Sequence, residues 1–210
     1  MKKLIQTRDV VRQFVPLYAK GNSLDVGAGT AKYKEIIEKS VSSYKTSDVY
    51  DGPGVDYVED IKNLSFGDNI FDTVFCFQVL EHVDNAEKAT SEIYRVLKRG
   101  GVCIATAPFL IPGHCDPGDF RRFPREGFRH LFEKNNFKIL EYGSYGEFFT
   151  VIGEFVKFLF LNPYKKKKHS RIKSKIFFRI VKLFYFFDKI GLLKNHDFYA
   201  NVYIVAQKNN

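Results

Sequence analysis

The stretch Leu24-Asp25-Val26-Gly27-Ala28-Gly29-Thr30 constrains this chain more than any other. Apolar Leu24 and Val26 flank one acid, and the run breaks at two glycines. Residues 32–39 then read as a helix, with Ile36 and Ile37 set among charges. The pattern is that of a first strand, a tight turn and a first helix. Glycines without a Cβ let a ligand lie directly on the turn backbone. The open helix N-terminus adds free N–H donors. A pyrophosphate-binding G-x-G-x-x-G turn wants a third glycine where this chain has Lys32. A carboxylate inside a buried strand needs a task or a partner. Asp25 either serves a ligand or braces the turn.

The rest of the chain alternates in the same way as far as residue 107. Val10, Val11, Phe14 and Leu17 fall on helical spacing within residues 4–19. Residues 43–49 read as a second strand, 55–61 as a third and 71–79 as a buried central strand. Residues 86–98 form an amphipathic helix, with Ala89, Ile93, Val96 and Leu97 on one side. Gly100 and Gly101 are expected to stop it. Residues 102–107 follow as a fifth strand, then a helix over 127–134 and strands over 137–142 and 198–207. This order predicts a single α/β domain over residues 1–210. The alternation makes the sheet parallel and doubly wound. Ligands of such sheets bind at the C-terminal ends of the strands. Gly27, Gly29, Asp48, Asp60 and Gln78 all fall there. Asp48 stands 19 positions after Gly29, where a strand-end acid can accept both hydroxyls of a ribose.

Taken together, these motifs resemble those of class I S-adenosylmethionine-dependent methyltransferases of the small, type 11-like methyltransferase-domain family. Leu24 to Thr30 resembles the family's glycine-rich first motif. The Phe71-Asp72-Thr73-Val74 stretch, with Gln78-Val79-Leu80-Glu81-His82 after it, resembles the fourth-strand motif. Glu92-Ile93, Arg95 to Lys98 and the glycine pair resemble the helix-to-strand signature, with Arg99 where the family usually has proline. The resemblance covers about residues 20–140. The fold it implies is a Rossmann-like, mostly parallel seven-stranded sheet with an antiparallel C-terminal strand. It implies that S-adenosylmethionine is held by Asp25, Gly27, Ala28, Gly29, Asp48, Val49, Asp60, Ile61, Gln78 and Val79. It also implies in-line methyl transfer, for which the protein chiefly binds and aligns two partners.

A hydroxyl acceptor would also need a base. The candidates are His82 and the cluster His114, Asp116 and Asp119, in a polar, turn-rich stretch over residues 112–123. That stretch resembles the acceptor-side loop of sugar- and cell-envelope-modifying members. His114, Cys115 and Asp116 are too close together for the usual metal-ligand spacing, so no metal is expected. The three cysteines show no C-x-x-C pair and read as reduced thiols of a cytoplasmic protein, Cys76 and Cys103 as core residues. No uncharged apolar run approaches the roughly 18 residues of a spanning helix.

The net charge of +9 is concentrated in one place. Residues 151–196 carry 12 Lys or Arg against Glu154 and Asp188, while the remainder holds 21 basic and 22 acidic residues. This stretch belongs to a helical insertion over 147–196, between the last two strands. Its second helix, about 171–190, sets Arg171, Lys175, Arg179, Lys182 and Lys189 against a broad Phe-rich face. That pattern suits an anionic membrane surface. A lid or dimer contact fits it as well, and nucleic acid fits it least. The expected function is methyl transfer to a lipid-linked or cell-envelope saccharide, or another membrane-associated small acceptor, by a cytoplasmic protein peripheral to the membrane's inner face. The alternative is a non-catalytic S-adenosylmethionine-binding or membrane-associated scaffold. The sequence leaves the oligomeric state open.

Overall fold

The computed structural model describes residues 3–114, 118–161, 171–193 and 197–209, with backbone alone at 161 and 171–177. Helix α1 (Thr7–Tyr18) precedes strand β1 (Asn22–Val26). Next come α2 (Lys34–Ile37), β2 (Ser43–Asp48), β3 (Tyr57–Val58) and β4 (Phe71–Phe77). A single 3-10 turn (Leu80–His82) leads to α3 (Ala86–Val96) and β5 (Leu97–Pro108). The chain then runs through α4 (Arg125–Lys134), β6 (Phe137–Tyr145), α5 (Phe148–Leu161), α6 (Arg171–Ile190) and β7 (Asn201–Lys208).

The seven strands form one sheet in the order β3-β2-β1-β4-β5-β7-β6. Pairing is parallel from β3 to β5, and β7 lies antiparallel between β5 and β6. Alternation along β4 builds a core on each face. Val74 and Cys76 pack with Ile93, Phe128 and Phe132 of α3 and α4. Phe75 and Phe77 pack with Val10, Phe14 and Ile37 of α1 and α2. Cys76 and Cys103 are both fully buried.

Three local expectations need correction. The first helix shrinks to four residues because the turn after β1 extends into it, with Ala31 at φ 51°. The third strand is two residues long and ends in a loop that lines a cavity. Gly100 and Gly101 do not stop α3. The helix ends at Val96, and Leu97 already pairs with Phe71. The glycines sit inside β5, where the register slips between the Phe71 and Thr73 pairs and Gly100 takes φ 70°. At Gly101 a Cβ would stand 2.8 Å from the Lys98 carbonyl oxygen.

Helices α5 and α6 form a hairpin that leaves the sheet after β6 and returns to it at β7. They approach closely at Gly153, where a Cβ would stand 3.2 Å from Phe184 Cβ. Asp188 is fully buried and reaches from α6 to the start of α5. Its carboxylate accepts from Phe149 N at 3.0 Å and Thr150 N at 2.7 Å, two of the donors that a helix start leaves unpaired. The basic run Lys165 to Lys168 lies outside the described residues, as do the side chains of Arg171, Lys175, Ile176 and Phe177. Among the described residues no helix is long and apolar enough to cross a membrane.

Candidate active site

The turn after β1 is fixed from two sides. Ala28 N donates to the Ser47 carbonyl at 3.1 Å, and Gly29 N donates to Asp48 Oδ2 at 2.9 Å. Asp48 Oδ1 accepts from Tyr50 N at 3.1 Å. The two glycines serve different ends. Gly27 takes φ 65°, and a Cβ there would meet Val79 Cγ2 at 2.5 Å. Gly29 takes φ 55° and faces open space, so the backbone beside Asp48 is bare.

That bare edge opens into a cavity of about 600 Å³ at the C-terminal ends of β1, β2 and β4. Gly27, Gly29, Asp48, Val49, Asp60, Ile61, Gln78, Val79 and His82 all line it. Sequence reasoning missed Tyr50 and Phe120, both largely exposed residues of its wall. Phe120 is placed by its own N–H, which donates to the Glu81 carbonyl at 2.9 Å. The only sequence signal for it was an aromatic side chain inside a polar loop. An adenosyl group fits this lining. The open backbone at Gly29 admits it, Asp48 presents a carboxylate for ribose hydroxyls, and Ile61 and Val79 offer apolar surface.

Two residues singled out for the ligand do not line the cavity. Ala28 uses its N–H to hold the turn. Asp25 is 3% exposed and accepts the Tyr44 hydroxyl at 2.6 Å. Burial raises its pKa to about 7. Burial and the neighbouring carboxylate also push the Tyr44 hydroxyl well up. The raised acid carries a sign. Between the ordinary carboxylate range and about 7, the folded protein holds a proton at Asp25 that the unfolded chain has lost, so stability falls as pH rises through that window. Asp25→Asn keeps an acceptor for Tyr44 and carries no charge. It should stabilise the ligand-free protein at pH 8 by about 2 kcal/mol, within a ceiling of about 4 kcal/mol. Paired denaturant curves at pH 5 and pH 8 measure this. A destabilised variant at pH 8 would mean that the ionised carboxylate supports the turn.

The remaining candidates lie beside the cavity. His114 and Asp119 line neither it nor its neighbour, and Asp116 lies outside the described residues. Asp119 is engaged by its own loop: Oδ2 accepts from His114 N at 2.7 Å and from Arg122 Nη2 at 2.8 Å. The Arg122 hydrogen bond holds its carboxyl below the usual range. Burial lowers the pKa of His114. Glu81, which sequence reasoning passed over as part of a motif, is fully buried, and burial lifts its pKa to about 8. Its signal was the one noticed at Asp25, an acid within an apolar run.

A second cavity of about 390 Å³ adjoins the first, and Gln78 lines both. Gln78 has φ 59°, and its Nε2 donates to Thr106 Oγ1 at 3.1 Å and to the Tyr145 hydroxyl at 3.3 Å. A bulky residue held in that strained region marks a position the surroundings over-determine. Arg8, Lys32 and Tyr33 form one wall of the second cavity, and Glu154, Lys157 and Tyr185 of the hairpin form the other. The Tyr185 hydroxyl donates to Glu154, and Lys157 Nζ reaches Glu154 Oε2 at 3.1 Å.

A turn with two glycines after β1, an acid ending β2, and a parallel sheet closed by an antiparallel β7 define the class I methyltransferase fold. Residues 24–105 match the family model described as a methyltransferase domain. Among curated proteins the chain is 45% identical over 60 residues to the ubiquinone/menaquinone biosynthesis C-methyltransferase UbiE of Desulfotalea psychrophila. It is 41% identical over 83 residues to an uncharacterized protein of Methanocaldococcus jannaschii. These matches span 27% and 38% of this chain but only 24% and 36% of those proteins. Among solved structures, the cyclase SpnF superposes with a TM-score of 0.66 at 19% identity, over 97% of this chain and 80% of that one. A Haemonchus contortus phosphoethanolamine N-methyltransferase 2 in complex with S-adenosyl-L-methionine gives 0.62 at 18%, over 98% and 52%. An S-adenosylmethionine-dependent methyltransferase from Archaeoglobus fulgidus gives 0.62 at 15%, over 96% and 93%. A cyclase among them illustrates that the fold alone does not fix the reaction.

Proposed function

We propose that the protein is an S-adenosylmethionine-dependent methyltransferase acting on a small, polar acceptor carried on a membrane-borne apolar anchor, of which a lipid-linked saccharide is the best match. The observation that supports this reading is the pair of adjoining cavities that share Gln78. In the first, Asp48 would hold the ribose, Asp60 and Ile61 the adenine side, and Gln78 and Val79 the methionine end. The bound cofactor supplies an electrophilic methyl group. The protein's own part is to bring an acceptor to the far side of Gln78 and hold it in line.

The second cavity suits a hydroxylated or phosphorylated group, because Arg8, Lys32, Lys157 and the Glu154–Tyr185 pair line it. An apolar ring would leave these groups unsolvated. The exposed face of its roof suits the anchor. Phe178, Lys182, Leu183, Phe186, Lys189 and Ile190 of α6 are exposed together with Arg179. With Ile180, also exposed, they span an arc of about 200° at 100° per residue that mixes cations with apolar side chains. Leu159 and Phe160 extend this apolar surface from α5. Such a face binds anionic interfaces without spanning them. On this reading the hairpin's inner face would act as the lid and its outer face as the membrane contact, which the sequence offered as alternatives beside a dimer contact. The short match to UbiE supports a second acceptor, a quinone precursor, which is also membrane-borne.

One experiment separates these readings. The protein is incubated with methyl-tritiated S-adenosylmethionine and a membrane lipid extract, and the lipids are then fractionated. Tritium is expected in water-soluble saccharide released by mild acid. Tritium in the neutral quinone fraction would replace the saccharide with a quinone acceptor. Cofactor binding with no tritium in any fraction would favour the scaffold. Co-sedimentation with anionic vesicles at low salt, lost at high salt, is the matching expectation for the hairpin.

A further inference from the structure

One cluster of titratable side chains sits beside the first cavity without a hydrogen-bonded partner for its acid. Glu81 is fully buried in the 3-10 turn after β4, and neither carboxylate oxygen has a hydrogen-bond partner. An acid in that setting needs a partner of some kind. His82 Nε2 stands 3.8 Å from Glu81 Oε1. The rings of His82 and His114 meet edge to face, with centroids 4.9 Å apart. One donor atom from each of the three residues lies within 4.8 Å of the other two.

The two imidazoles are held alike. His82 Nδ1 contacts the Gly118 carbonyl, and His114 Nδ1 contacts the Pro112 carbonyl at 3.3 Å. A carbonyl can only accept, so these contacts assign the proton to Nδ1 and leave the Nε2 lone pair free. Anchoring one ring nitrogen on a backbone carbonyl is how metal-binding histidines are commonly oriented. A carboxylate with two neutral imidazoles is a donor set for zinc and related transition ions.

We infer that Glu81, His82 and His114 form a binding site for one divalent transition-metal ion of the zinc class, which ties the turn after β4 to the loop after β5. The inference is independent of the proposed reaction. Ligand atoms around such an ion lie about 3.3 Å apart, so the trio must close slightly. His114, half-buried on a loop, is the member free to close it. Arg122 also faces this region, but its ion pair with Asp119 offsets its charge. His82 also lines the first cavity, which gives the ion a path in.

The test uses the full chain, stripped with a chelator and titrated with Co²⁺ and then Zn²⁺, with no methyl donor present. One equivalent of Co²⁺ should bind with visible d–d absorption, and Zn²⁺ should displace it and raise the melting temperature. Glu81→Gln keeps the buried shape, and His114→Ala alters only a loop. Each should weaken binding by about tenfold or more, with an unchanged far-ultraviolet dichroism spectrum. No saturable binding to the wild-type chain, or equal affinity in wild type and both variants, would overturn the inference.

Discussion

Asp48→Ala should weaken S-adenosylmethionine binding about a hundredfold. The carboxylate has two tasks. It holds Gly29 N–H at 2.9 Å and Tyr50 N–H at 3.1 Å, which keeps the glycine turn against the end of β2. Its remaining lone pairs face the cavity, where two ribose hydroxyls can donate to them. A hydrogen bond to a charged group is worth roughly 1.5–3 kcal/mol. Two ribose bonds, discounted for the water that replaces them, come to about 3 kcal/mol, or a factor of about a hundred. Asp48→Asn keeps an acceptor but brings an amide that cannot accept, so its loss should be intermediate. Calorimetric titration of all three proteins measures the series. Equal affinity for wild type and alanine variant would remove Asp48 from the ribose site.

Asp188→Ala should loosen α6 from the start of α5 within the helical hairpin. The substitution deletes the acceptor of Phe149 N–H and Thr150 N–H and leaves both donors unpaired beneath α6. Losing a helix-start acceptor and stranding buried donors costs about 2–3 kcal/mol together. Amide hydrogen exchange over residues 148–161 should quicken correspondingly, while the core of β4 and β5 keeps its protection. The same variant should raise the KM for acceptor more than it lowers kcat, because Glu154, Lys157 and Tyr185 belong to the second cavity. Unchanged exchange at the start of α5 would show that the hairpin is held by its aromatic contacts instead, such as Phe149 against Phe187 at 5.2 Å.

Much of this was legible in the sequence, because local pattern and global fold agree. Two glycines after an apolar run, an acid 19 positions on and a Gln after the central strand mark out the candidate cavity. They are legible because parallel strands all end at the same edge of the sheet. What stayed hidden depends on distant partners. Asp25 carries the same signal whether it meets a ligand or Tyr44, and only the register of β1 with β2 sets the Tyr44 ring against it. The Gly100–Gly101 pair spells a helix stop as readily as a kink in a strand. Asp188 meets its partners 38 and 39 residues earlier, across a helical turn of the chain that no periodicity reports. Glu81 and His114 are 33 positions apart, and only the loop after β5 brings them together.

The most direct measurement is a calorimetric titration of the full chain with S-adenosylmethionine, S-adenosylhomocysteine and NAD. Saturable one-to-one binding of both adenosyl ligands, with none of NAD, is the predicted result, since Lys32 stands where a dinucleotide turn needs glycine. No binding of either adenosyl ligand would contradict the assignment of the Asp48 cavity and move attention to the hairpin and its amphipathic face.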